Sequence, residues 1–291
     1  MKTIFIGLVL LAWLAPSLAG NAWSEIDTPL AESPQAIGAY NAGCLAGAAI
    51  LPLQGKGFQV MRPSRNRYFG HPNLIAFVER LGRQASVQGQ RLLIGDLSQP
   101  RGGPMNGGHR SHQIGLDVDI WFGEGPQGRP LSREETEAIP MLSVIQAAEG
   151  NLNPARWSAR YRNALKLASE APEVERIFVN PIIKQALCRS ERDPSWLYKI
   201  RPWWGHDEHF HVRLRCPADN PLCRPQEPLP MDDGCDVGLE RWVREIQMAA
   251  ISSPSQKQKP TPEPSILPEI CKAVLNGNSF LQPTRLSPPG S

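Results

Sequence analysis

The stretch Glu208-His209-Phe210-His211-Val212-Arg213-Leu214-Arg215 alternates polar and apolar side chains from end to end. A β-strand sends successive side chains to opposite faces, so His209, His211, Arg213 and Arg215 share one face and Phe210, Val212 and Leu214 the other. LDVDIWF (116–122) repeats the pattern. Leu116, Val118 and Ile120 face a core and Asp117 and Asp119 the opposite side, which reads as a half-buried strand. If the two strands are neighbours, Asp119 and His211 approach each other across the ladder.

Outward from these two strands, GFQVMR (57–62), RLLIGD (91–96) and RIFVN (176–180) read as further short strands. Pro72, followed by Leu74, Phe77, Val78 and Leu81, starts a helix over 72–83 with one apolar face. Shorter helices are expected at 158–170, 181–189, 195–200 and 237–248. A Gly/Ala-rich entry segment carrying Cys44 precedes them, and SQPRGGPMNGG (98–108) is a loop that leads into the first histidines. Strands and helices interleave without a regular βαβ period. The fold class is therefore α+β, a central, mainly antiparallel sheet with flanking helices.

The 291 residues are 41% hydrophobic and 20% charged, an ordinary globular balance, with a formal net charge of +3. No dense Lys/Arg run with interleaved aromatics accompanies that charge, so nucleic acid is not an expected partner. MKTIFIGLVLLAWLAPSLAG opens with one Lys, an apolar run and Ser17-Leu18-Ala19, the layout of a cleavable secretory signal over 1–19. The apolar run is shorter than the ~20 residues that span a bilayer, and no later stretch qualifies, so no membrane anchor is expected after the signal is removed. Residues 20–250 then form one domain. Residues 251–291 form a Pro-rich tail, tethered through Cys271.

Signal removal leaves six cysteines, Cys44, Cys188, Cys216, Cys223, Cys235 and Cys271, in a chain bound for an oxidising compartment. Three disulfides are expected. Fifteen complete pairings exist on paper, although Cys216 and Cys223 flank the short loop PADNPL and could close it. A thiolate-held zinc would need close C-x-x-C pairs, and the sequence contains none.

Five of the six histidines fall in two windows, His109-x-x-His112 with Asp119 downstream, and His206-x-x-His209-x-His211. Imidazole nitrogen and carboxylate oxygen are ordinary zinc ligands, and a catalytic zinc usually takes three protein groups and keeps a fourth position open. His112 sits in a turn just before the strand of Asp119, so a loop ligand can fold back over a strand ligand. His112, Asp119 and His211 are the expected metal ligands. Asp117 could orient a ligand imidazole or bond only to nearby backbone, and Trp203 and Trp204 could wall the site or belong to the core. His71, outside both windows at a helix start, is read as structural.

GGHRSHQIGLDVD (107–119) and WGHDEHFHVRLRCP (204–217) closely resemble the penicillin-insensitive murein endopeptidase family, which is grouped with lysostaphin-type and D-Ala-D-Ala metallopeptidases and the Hedgehog domain. YFGHP (68–72), IGD (94–96) and IFVNP (177–181) extend the likeness over most of the chain to about Cys235. The resemblance implies a Hedgehog/D-Ala-D-Ala-peptidase-like fold. It also implies a zinc centre at His112, Asp119 and His211, with His209 as the catalytic histidine and His206 assisting it. The implied activity is hydrolysis of the D-alanyl–meso-diaminopimelyl cross-link of peptidoglycan in the periplasm, and the implied disulfides are Cys44–Cys271, Cys188–Cys235 and Cys216–Cys223. His109 lies where some members bind a second metal together with an Asp and a His from mid-chain. The stretch around Glu149-Gly150-Asn151 does not supply that pair, and no histidine lies between His112 and His206, so a single ion is expected. The same ligand set also serves zinc D,D-carboxypeptidases.

Overall fold

The computed structural model describes residues 21–107, 110–126, 128–252 and 266–279. The leader expected over 1–19 lies outside the described residues. A seven-stranded sheet runs through the molecule in the order Ile200–Pro202, Val174–Val179, His209–Leu214, Asp117–Trp121, Leu92–Ile94, Phe58–Val60, Gln54–Gly55. Two of its pairings, Val174–Val179 with Ile200–Pro202 and Phe58–Val60 with Leu92–Ile94, are parallel, and the others are antiparallel. The two strands that carry the alternating pattern lie side by side at its centre. Their register sets His211 opposite Asp119 and Arg213 opposite Asp117.

Phe210, Val212, Leu214, Val118 and Ile120 join the main core beneath, with Leu74, Phe77, Val78 and Leu81 of the helix Pro72–Val87. His71 caps that helix, its Nδ1 accepting the backbone N–H of Asn73, which is the structural role expected of it. Ser158 and Asn180 cap the helices Ala159–Glu170 and Pro181–Ser190 in the same way, each taking up an N–H that a first turn leaves unmet.

Two expectations need correction, and one segment left unassigned takes shape. Asp117–Trp121 is buried along its whole length, not half-buried, because its polar face looks into the molecule and not into solvent. The segment expected as a helix over 195–200 is a 3-10 turn, Ser195–Lys199, after which Ile200–Pro202 forms an edge strand, a position where proline's missing N–H does no harm. The Gly/Ala-rich entry is a hairpin, Gln35–Ala39 with Ala42–Ala46, whose small side chains give no alternation to read.

All three disulfides implied by the resemblance are present: Cys44–Cys271, Cys188–Cys235 and Cys216–Cys223. The first joins the hairpin to the helix Ile270–Asn276, and Trp23, Leu30, Ile37 and Val274 close a small second core around it. Among the described residues, no helix is long and apolar enough to cross a membrane.

Candidate metal centre

The centre is assembled from a strand pair and two loops. His211 and Asp119 face each other across the rung, with His211 Nδ1 3.0 Å from Asp119 Oδ1. Ahead of the Asp119 strand the chain folds back through Gly115, which sits at φ +71°, where a Cβ would meet the Leu45 side chain and the His71 backbone nitrogen. That fold places His112, itself at φ +68°, over the strand with its Nε2 3.4 Å from Asp119 Oδ1. One ligand atom from each of His112, Asp119 and His211 lies within 4.8 Å of the others, and all three residues are buried. This is the trio singled out by spacing, and two imidazole nitrogens with one carboxylate oxygen are a donor set that zinc accepts.

The electrostatics of the trio suit a cation. Burial alone would raise the Asp119 carboxyl, but the charges of His112 and His209 and hydrogen bonds from His112 and His211 hold it well below the usual carboxylate range. Burial would lower His211, yet Asp117 and Asp119 raise it. The carboxylates that draw a proton to His211 would draw a metal ion equally well.

His209, next but one to His211 on the same strand face, reaches the rim, with Nε2 3.6 Å from Asp119 Oδ1. His206 completes the wall, its ring centroid 5.2 Å from that of His209 and 5.8 Å from that of His211. It stands at φ +54° in a loop held from below by Asn180, which gives its backbone N–H to the His206 carbonyl and its side-chain amide to that of Gly205. His206 Nδ1 lies 2.8 Å from the Trp204 carbonyl. A carbonyl only accepts, so Nδ1 carries the proton and Nε2 presents its lone pair. Burial, reinforced by His211 and His209, pushes the pKa of His206 down to about 3, which keeps it neutral. His109 lies outside the described residues.

Two features were not in the expected site. Asp117 is wholly buried and touches both His112 and His211, a role its place two residues before Asp119 hinted at without deciding. Trp203 and Trp204 are 52% and 55% exposed beside His206, so they are not core. Trp204 leans on Trp242 and Trp203 on Phe178.

A family model described as penicillin-insensitive murein endopeptidase matches residues 36–276. Proteins of that name from Klebsiella pneumoniae (strain 342) and Yersinia enterocolitica are 45% and 44% identical to this chain, over 95% and 96% of it and 98% of their own lengths. One from Salmonella paratyphi B is 42% identical over 92% of this chain and 97% of its own.

Proposed function

The chain belongs to the penicillin-insensitive murein endopeptidase family, and on that premise we propose that it hydrolyses the D-alanyl–meso-diaminopimelyl cross-link of peptidoglycan with a single zinc ion. The observation that carries this reading is the buried convergence of His112, Asp119 and His211 in a chain related to those enzymes along nearly its whole length. These three side chains would hold the ion. When bound, it supplies Lewis acidity to the scissile carbonyl and makes a water acidic enough to attack near neutral pH, from a pKa of ~15.7 towards about 7.

The chain's own residues supply the rest. His209, at the rim, takes the proton of the attacking water. As an imidazolium it then steadies the developing oxyanion and passes the proton to the departing amine. His206, neutral and with its Nε2 lone pair presented, accepts a hydrogen bond from the water or from the substrate's N–H and so orients it. Attack by water needs no serine nucleophile, so β-lactams, which acylate a serine, would leave the activity intact. The signal-like leader and three disulfides support a periplasmic location, and residues 20–250 would form the peptidase domain with 251–291 as an appended tail.

The test is metal analysis of the purified protein, followed by digestion of cross-linked muropeptide dimers with and without a chelator. One zinc per chain, dimer cleavage lost on chelation and rescue by zinc are expected. Release of D-alanine from pentapeptide monomers with dimers left whole would replace the endopeptidase reading by a carboxypeptidase one.

A further inference from the structure

Asp117 takes no part in the chemistry just described, yet its carboxylate is the hub of the centre. At 0% exposure it accepts three hydrogen bonds. Oδ1 takes one from His211 Nε2 at 2.9 Å and one from Arg213 Nε at 2.6 Å. Oδ2 takes one from the backbone N–H of His112 at 3.0 Å.

Each bond constrains a metal ligand or the group that does so. An ionised carboxylate can only accept, so His211 Nε2 carries a proton towards Asp117, which leaves Nδ1, the nitrogen facing Asp119, as the one a metal would take. His112 stands in the left-handed backbone region, which a residue with a Cβ seldom adopts, and its N–H is held there by Oδ2. Arg213 is a rigid anchor for Oδ1. Its guanidinium lies 4.2 Å from the Tyr40 ring centroid and 5.2 Å from that of Phe178, and it donates to Gln226 Oε1 at 2.8 Å. A plain ion pair with Arg213 would leave the second oxygen of Asp117 unemployed. Two of the three bonds go instead to the loop ligand and the strand ligand.

We infer that Asp117 is a positioning residue for the metal centre, one carboxylate that fixes the His211 tautomer and the His112 backbone together, with Arg213 anchoring it. The inference rests on the zinc reading above. A carboxylate that receives the far N–H of a ligand imidazole raises the ligand's basicity and sets its orientation, and loss of such a partner costs ~10–100-fold in metal affinity. Here the same loss would also release the second histidine.

The test uses the full chain with Asp117→Asn. Asparagine keeps one acceptor oxygen for His211 and Arg213 and turns an NH₂ towards the His112 N–H, which cannot receive it. Zinc affinity measured by chelator competition should fall about 10–100-fold. The absorption bands of the cobalt-loaded protein should shift, while the three disulfides and far-UV circular dichroism stay as in the wild type. A second measurement needs no variant. Nitrogen-15 NMR of the wild-type imidazoles should show His211 protonated at Nε2, with its Nδ1 resonance moving on zinc addition. A folded Asp117→Asn protein with wild-type zinc affinity, or the opposite His211 tautomer, overturns the inference while leaving the zinc reading standing. Wild-type protein that takes up no zinc overturns both.

Discussion

Asp96, two residues past the strand Leu92–Ile94, and Asp119, on the neighbouring strand, are linked through the backbone by Gly95 N–H to the Asp119 carbonyl and Asp119 N–H to the Asp96 carbonyl, and both are almost fully buried. They differ in what surrounds them. Asp96 is met by guanidinium groups, Arg67 at 2.8 Å and Arg65 at 3.0 Å. Asp119 is met by imidazoles, His211 at 3.0 Å, His112 at 3.4 Å and His209 at 3.6 Å. A guanidinium keeps its proton at any pH a protein survives, so among the described residues Asp96 is paired with charges that do not titrate. An imidazole near neutrality can exchange a proton for a metal, so the Asp119 cluster is open to a ligand. Asp117 lies between the two cases, with one imidazole and one guanidinium on the same oxygen.

The sharpest way to break this comparison is to remove each carboxylate in turn. Asp119→Asn should abolish tight zinc binding and lower kcat/KM by about 10³-fold or more, a thousandfold being ~4 kcal/mol of transition-state stabilisation. Isothermal titration with zinc and a muropeptide-dimer assay check both halves. His209→Ala tests whether the rim histidine is distinct from the ligands: zinc stoichiometry should stay at one while kcat drops ~10²–10⁴-fold, the usual contribution of a general acid–base group.

Asp96→Ala should behave in the opposite way to the Asp119 change. Removing one partner of a buried ion pair costs ~3–5 kcal/mol. Arg65 is 35% exposed and so part-solvated, which brings the expected loss to about 2 kcal/mol. Urea denaturation should register it, while zinc bound per folded chain stays unchanged. If zinc binding falls instead, the division between structural and ligand-binding carboxylates fails.

For Asp117 the comparison has a pH signature in the metal-free protein. Burial would raise its carboxyl, but Arg213, then His211, hold it below the usual carboxylate range. A depressed folded pKa stabilises the fold fully above the unfolded value, about 3.9, and that contribution is lost as the pH falls towards the folded value. Melting curves in EDTA between pH 2 and 7 should therefore show an acid limb that Asp117→Asn flattens, by on the order of 2 kcal/mol. The smallest effect is expected at Trp204, whose exposed ring leans on Trp242: Trp204→Ala should shift stability by less than about 0.5 kcal/mol.

Much of this was legible in the residues. Alternation in 116–122 and 208–215 gave two strands, and Asp119 and His211 could be paired because the period of two puts each on a polar face. Proline and apolar spacing marked the helix from Pro72. The hairpin at 35–46 was not legible, because Gly and Ala carry too little side chain to show which face is buried. Of the two readings of Asp117, a bond to a ligand imidazole or one to nearby backbone, the residues could not choose, since a polar face towards solvent and one towards a buried site read alike; the structure has both bonds.

By itself, then, the sequence determined local periodicity, the likeness to a known family, and which residues had the chemistry to hold a metal. Tertiary structure alone decided that the polar face is enclosed, that His112 adopts a left-handed backbone, and that one carboxylate, Asp117, bonds to both His112 and His211 while Asp96 meets arginines. The physical reason is that periodicity reports direction relative to a strand's own axis. Burial, tautomer and partner depend on what the remaining chain stacks above that face.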